Sequence, residues 1–96
     1  MATKESEFQA KICKWLRAKG CMVLKYQQNA TTRAGTPDLI FLKDGFWGAL
    51  EVKRSKNAPF RPGQKEMVKK MDEMSWARVV WPENEKEILK ELGEIL

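Results

Sequence analysis

Asp38, Glu51 and Lys53 are the side chains of this sequence whose types and spacing suit catalysis. Asp44 and Gly45 stand midway between the two acids, and Asp-Gly between two β-prone runs is a strong signal for a two-residue hairpin turn. Counting outward from that turn pairs Lys43 with Phe46 and brings Asp38 directly opposite Glu51. Side chains alternate along a strand, so both acids and Lys53 fall on one face. Opposed residues have Cβ atoms about 5 Å apart, and two carboxylates there repel by roughly 3 kcal/mol at an effective dielectric near 20. A divalent cation relieves that repulsion, since Mg²⁺ binds through one or two carboxylates and leaves its other positions to water or phosphate oxygens. The chemistry such a site supports is metal-assisted hydrolysis of a phosphate ester. Lys53 would hold or deprotonate the attacking water and stabilise charge growing on the phosphate. The competing reading is a surface salt-bridge cluster. Leu39, Phe41, Leu50 and Val52 on one face of the hairpin, and Ile40, Leu42, Trp47 and Ala49 on the other, oppose it. A carboxylate pair at the end of a hairpin covered on both faces is costly.

The elements that must position these residues follow from periodicity. Phe8, Ile12, Trp15 and Leu16 recur at helical spacing within a predicted helix from Thr3 to Lys19. Ser6 with Gln9 forms a capping-box pattern at its start and Gly20 ends it. A short strand at Met22–Tyr26 and a polar loop at Gln27–Gly35 precede the hairpin strands, Asp38–Lys43 and Phe46–Lys53. Pro62 opens a second helix with Met67, Val68, Met71 and Met74 as an apolar stripe. Trp76–Trp81 reads as a buried strand stopped by Pro82, and a last helix runs from about Glu83 to Leu96. The predicted order is αβββαβα, an α/β fold with a mixed central sheet flanked by helices.

Composition limits what else the chain can be. Its 96 residues, 43% hydrophobic and 32% charged, predict one globular domain over residues 1–96 with a single core. It has no histidine, which excludes Ser-His-Asp and Cys-His catalysis and leaves Cys13 and Cys21 without partners for a structural zinc. No apolar run approaches the roughly 20 residues that span a bilayer. The polar N-terminal residues predict a cytoplasmic chain with free thiols and no membrane contact. Eighteen basic against 13 acidic residues give a net charge of +5, which suits a polyanionic partner. Gln27, Asn29 and Arg33 in the polar loop, with Arg54, Lys56 and Arg61 beyond the hairpin, are the predicted DNA contacts, gripping phosphates rather than reading bases. Lys65, Lys69 and Lys70 read as the solvated face of the second helix.

Two further polar residues bear on the site. Gln64 lies four residues before Val68, on the buried stripe of the second helix, and is predicted to face the sheet. Its amide would then hold a water or a phosphate, against the alternative of an ordinary polar residue near a helix start. Glu7 stands in the first turn of the first helix, where a carboxylate favours the helix dipole in any case.

Gly35, Pro37 and Asp38, then Glu51-Val52-Lys53, then Gln64, with the acid in the first helix, together resemble the PD-(D/E)XK nuclease superfamily and, within it, the VRR-NUC family. The resemblance covers nearly the whole chain, in family order. It implies a restriction-endonuclease-like core and a Mg²⁺ or Mn²⁺ site on Asp38, Glu51 and the Val52 carbonyl, with Glu7 contributing directly or through water. Lys53 would be the catalytic lysine and Gln64 the family's helix glutamine. Stand-alone members of about this length, typical of viruses and bacteriophages, are homodimeric enzymes that cut four-way (Holliday) DNA junctions, which would place this chain in a host cytoplasm. The same family domain in the Fanconi-associated nuclease acts on flaps. A nuclease on flap or ordinary duplex DNA, and a non-catalytic DNA-binding module, are the alternatives. Four tryptophans, four phenylalanines and five methionines, with Ile88, Leu89, Leu92, Ile95 and Leu96 in the last helix, independently suggest apolar surface between two subunits. The competing reading is that all of it fills one core.

Overall fold

Among the described residues, three α-helices and four strands form in the predicted order. A computed structural model describes residues 4–26 and 35–96. Helix α1 (Lys4–Ala18) buries Ile12, Cys13 and Leu16. It closes with Cys21 N–H donating to Leu16 O at 3.1 Å and Gly20 N–H to Arg17 O at 3.0 Å, the paired bonds of a Schellman cap. There follow β1 (Met22–Lys25), β2 (Leu39–Lys43), β3 (Phe46–Val52), α2 (Gln64–Met74), β4 (Ala77–Val80), a 3₁₀ turn (Pro82–Asn84) and α3 (Glu85–Ile95).

The strands lie in the order β1-β2-β3-β4. The first two pairings are antiparallel, and β3 runs parallel to β4, with α2 as the crossover that a parallel pair requires. The hairpin register is the predicted one, running from Lys43 opposite Phe46 to Leu39 opposite Leu50, with Asp44 at φ 54° in the turn. The ladder stops at Leu39, so Asp38 is the residue immediately before β2.

Alternation separates the two faces. Leu39, Phe41, Leu50, Val52 and Val80 are fully buried with Ile12 and Leu16 of α1 and Ile88 and Leu92 of α3, so these two helices cover one side. Helix α2 packs over β3 and β4 on the other side, where Glu51 and Lys53 point. Burying each large aliphatic side chain contributes about 1.5–3 kcal/mol.

Several expectations need correction. Helix α2 begins at Gln64 rather than at Pro62, because Gly63 takes a left-handed conformation at its N-cap (φ 83°). A Cβ on the neighbouring Gly35 would come within 2.5 Å of the Gly63 carbonyl oxygen, so the two backbones meet where only hydrogen fits. Met74 is 76% exposed, and Gln64 is the fully buried residue of that helix. The 3₁₀ turn delays α3 to Glu85. Ile88 and Leu92 of α3 belong to the core, with Leu89 and Leu96 packed on it, so little of this helix is left for a partner. Ile95 near the end of α3 is exposed, as are Met22, Leu24 and Tyr26 around β1 and Leu42 on β2.

Candidate active site

The C-terminal end of β3 builds the site. Parallel pairing to β4 holds this end, with Lys53 N–H donating to Val80 O at 2.9 Å. Asp38 reaches across from the start of β2, and its Oδ2 accepts the Val52 N–H at 2.9 Å. That bond continues the ladder one step with a side chain and fixes the carboxylate beside Glu51. Glu51 is 1% exposed. Its Oε2 accepts from Gln64 Nε2 at 2.9 Å and lies 3.5 Å from Lys53 Nζ, whereas its Oε1 is buried without a hydrogen-bond partner. Burial first, and the neighbouring Asp38 charge second, push the Glu51 carboxyl up to about 7 from its ordinary 4.5, against the opposing pull of Lys53 and Arg61.

Lys53 is equally constrained. Its ammonium donates to Pro59 O at 2.9 Å and to Gln64 Oε1 at 3.1 Å, and stands 4.8 Å from the centre of the Phe60 ring, a cation–π contact. Gln64 is the hub of this arrangement. It is 0% exposed, and its Oε1 also accepts the Arg61 N–H at 2.7 Å. Every one of these bonds is internal, so Gln64 positions Glu51 and Lys53 and does not reach outward to a water or a phosphate as its sequence position suggested.

A cavity of about 340 Å³ opens beside these groups, lined by Glu5, Glu51, Val52, Lys53, Arg54, Ala58, Pro59 and Arg61. Of the acids in the first turn of α1, Glu5 lines this cavity. Glu5 and Glu7 are both exposed, and two residues along a helix turn Glu7 by about 200° away from Glu5. The expected carboxylate set of Asp38, Glu51 and Glu7 does not assemble: among the described residues no three Asp, Glu, Cys or His side chains gather as a metal-binding group. The two carboxylates that do meet match Mg²⁺, which needs only one or two of them. An orphaned, buried carboxylate oxygen is what such an ion would satisfy, and Val52 also lines the cavity.

Arg54, Lys56 and Arg61 are exposed, the two arginines on the cavity wall. Gln27, Asn29 and Arg33 lie outside the described residues. Cys13 and Cys21 are free, buried thiols, and burial raises the pKa of each, which keeps them unreactive. Sequence reasoning missed three contributors. Glu5 was detectable, because it lies seven residues before Ile12 and so shares its helical face. Pro59 and Phe60 gave no signal, since one acts through a backbone carbonyl and the other through the path of a loop. Among the described residues no helix is long and apolar enough to cross a membrane. No family model matches the chain, and no curated protein or solved structure is significantly similar to it.

Proposed function

We propose that this chain is a Mg²⁺- or Mn²⁺-dependent endodeoxyribonuclease of VRR-NUC type, with a restriction-endonuclease-like core, acting as a homodimer on branched DNA such as a four-way junction. One observation carries the reading: Glu51 Oε1 is buried and unpartnered on the wall of a cavity, with Asp38 beside it and a caged lysine behind it. A salt-bridge cluster has no use for that oxygen, whereas a divalent cation does.

Asp38, Glu51 and the Val52 carbonyl would hold the ion, which supplies Lewis acidity toward a phosphoryl oxygen. Lys53, held by Pro59 and Gln64, would orient the water that attacks phosphorus and stabilise the developing negative charge. Gln64 keeps Glu51 and Lys53 in register through its buried amide. Arg54, Lys56 and Arg61 would grip backbone phosphates, giving preference for DNA shape over sequence. Met22, Leu24, Tyr26 and Leu42, exposed on one sheet face, support the homodimer. Two-fold symmetry would set two sites against the paired strands of a junction. A cytoplasmic location, in a viral host, belongs to the same proposal.

Labelled four-way junction, flap and linear duplex, each incubated with Mg²⁺ or Mn²⁺, test the activity. The expected result is metal-dependent cleavage of the junction above the duplex, abolished in Asp38→Ala. No cleavage of any substrate, or undiminished cleavage by Asp38→Ala, would overturn the proposal. Equal cleavage of all three would leave a nuclease but remove the branched substrate.

A further inference from the structure

Each acid of the site commits one oxygen to a hydrogen bond from the protein. Asp38 Oδ2 is taken by Val52 N–H and Glu51 Oε2 by Gln64 Nε2, whereas Glu51 Oε1 is buried without a hydrogen-bond partner. Asp38 Oδ1 already has a cation near it, since Arg61 Nη2 stands 3.8 Å away. The backbone of Arg61 is fixed by its N–H bond to Gln64 Oε1, whereas its side chain is 49% exposed and free to turn outward. Lys53, by contrast, is caged and cannot leave.

We infer that Arg61 is a built-in counter-cation, which neutralises Asp38 Oδ1 in the metal-free protein, gives way to a divalent ion, and then presents its guanidinium at the cavity mouth to a phosphate of the nucleic-acid backbone. The inference rests on the proposed nuclease reading and deepens it. A guanidinium and a divalent cation cannot share one carboxylate oxygen without strong repulsion, so binding of the ion drives the side chain outward. There it meets solvent or an incoming phosphate, for which the planar guanidinium is suited. A phosphate that draws Arg61 away from Asp38 must, by linkage, tighten metal binding as well. Arg61 therefore acts in opposite senses on the two ligands, unlike an ordinary basic contact, which affects DNA alone.

Calorimetric titration of the metal-free full chain with Mn²⁺ is the test, comparing wild type with Arg61→Gln, Lys69→Gln and Glu51→Ala. Glutamine removes the charge and retains the Arg61 backbone bond. Lys69→Gln makes the same change in net charge on the exposed face of α2. Arg61→Gln is expected to bind Mn²⁺ about tenfold to twentyfold more tightly than wild type, the size of effect from removing a unit charge roughly 5 Å from a divalent ion in a water-like dielectric. Lys69→Gln should leave the affinity unchanged. In parallel, fluorescence anisotropy of a labelled junction with Ca²⁺ as the cation should show Arg61→Gln binding about tenfold more weakly, the loss of one charge-assisted phosphate contact.

Equal or weaker Mn²⁺ affinity in Arg61→Gln, or equal tightening in Lys69→Gln, overturns the counter-cation role. Unchanged DNA affinity overturns the phosphate contact. In either case a wild-type Mn²⁺ heat that disappears in Glu51→Ala keeps the metal site standing. Absence of that heat in wild type removes the metal site and the inference together.

Discussion

Replacing the central acid of the site should make the metal-free protein more stable. Glu51 is buried beside Asp38, and its carboxyl titrates at about 7 instead of 4.5, so the folded chain holds this proton more tightly than the unfolded chain does. A carboxyl raised in this way stabilises the fold fully below about pH 4.5, and that contribution is lost as pH rises through 7. The shift corresponds to about 3 kcal/mol between the two limits. Glutamine matches the neutral acid in shape, and its carbonyl can keep the bond from Gln64. Glu51→Gln is therefore expected to exceed wild type by about 3 kcal/mol at pH 8 in chelator, and to differ little from it at pH 4.5. Urea denaturation at the two pH values measures both gaps. Mn²⁺ at a hundred times its dissociation constant should return about 2.7 kcal/mol to wild type at pH 8 and nothing to Glu51→Gln. A variant no more stable than wild type at pH 8, or a gap of the same size at both pH values, would refute the reasoning.

Other perturbations separate positioning from packing and surface roles. Gln64→Leu leaves Glu51 Oε2, Lys53 and the Arg61 N–H without their shared partner, and urea denaturation should show a loss of at least about 2 kcal/mol. Gly35→Ala places a Cβ against the Gly63 carbonyl at a left-handed residue, and should lower stability by about 1–3 kcal/mol in thermal melts. Leu92→Ala in the core should cost about 2–5 kcal/mol and leave the oligomeric state unchanged. Leu24→Lys, on the exposed sheet face, should convert a dimer into monomers by sedimentation with little change in monomer stability.

The hairpin was readable because one turn dipeptide sets every pair beyond it. Asp44-Gly45 placed Leu39 opposite Leu50, and alternation then assigned Leu39, Phe41, Leu50 and Val52 to one face and Glu51 and Lys53 to the other. Helix phase carries the same kind of information. Glu7 and Glu5 are equally plausible first-turn acids until the buried Ile12 and Leu16 fix which side meets the sheet. The left-handed N-cap at Gly63, packed against Gly35, makes sense only when two distant backbones touch. Apolar composition misled for a different reason. Leucines and isoleucines of α3 suggested a partner surface, but the core consumed most of them, whereas β1 and β2 face outward because α2 covers only β3 and β4. A one-dimensional pattern identifies an apolar face and leaves open what covers it.

The cation seat between Asp38 Oδ1 and Glu51 Oε1 is the claim on which the rest depends. Crystals grown with Mn²⁺ near pH 8 and measured at a wavelength where manganese scatters anomalously test it directly. One strong peak within about 2.0–2.3 Å of both oxygens is predicted, with the Arg61 guanidinium turned away from Asp38. No peak there, or manganese bound elsewhere while Arg61 still pairs with Asp38, would contradict the account.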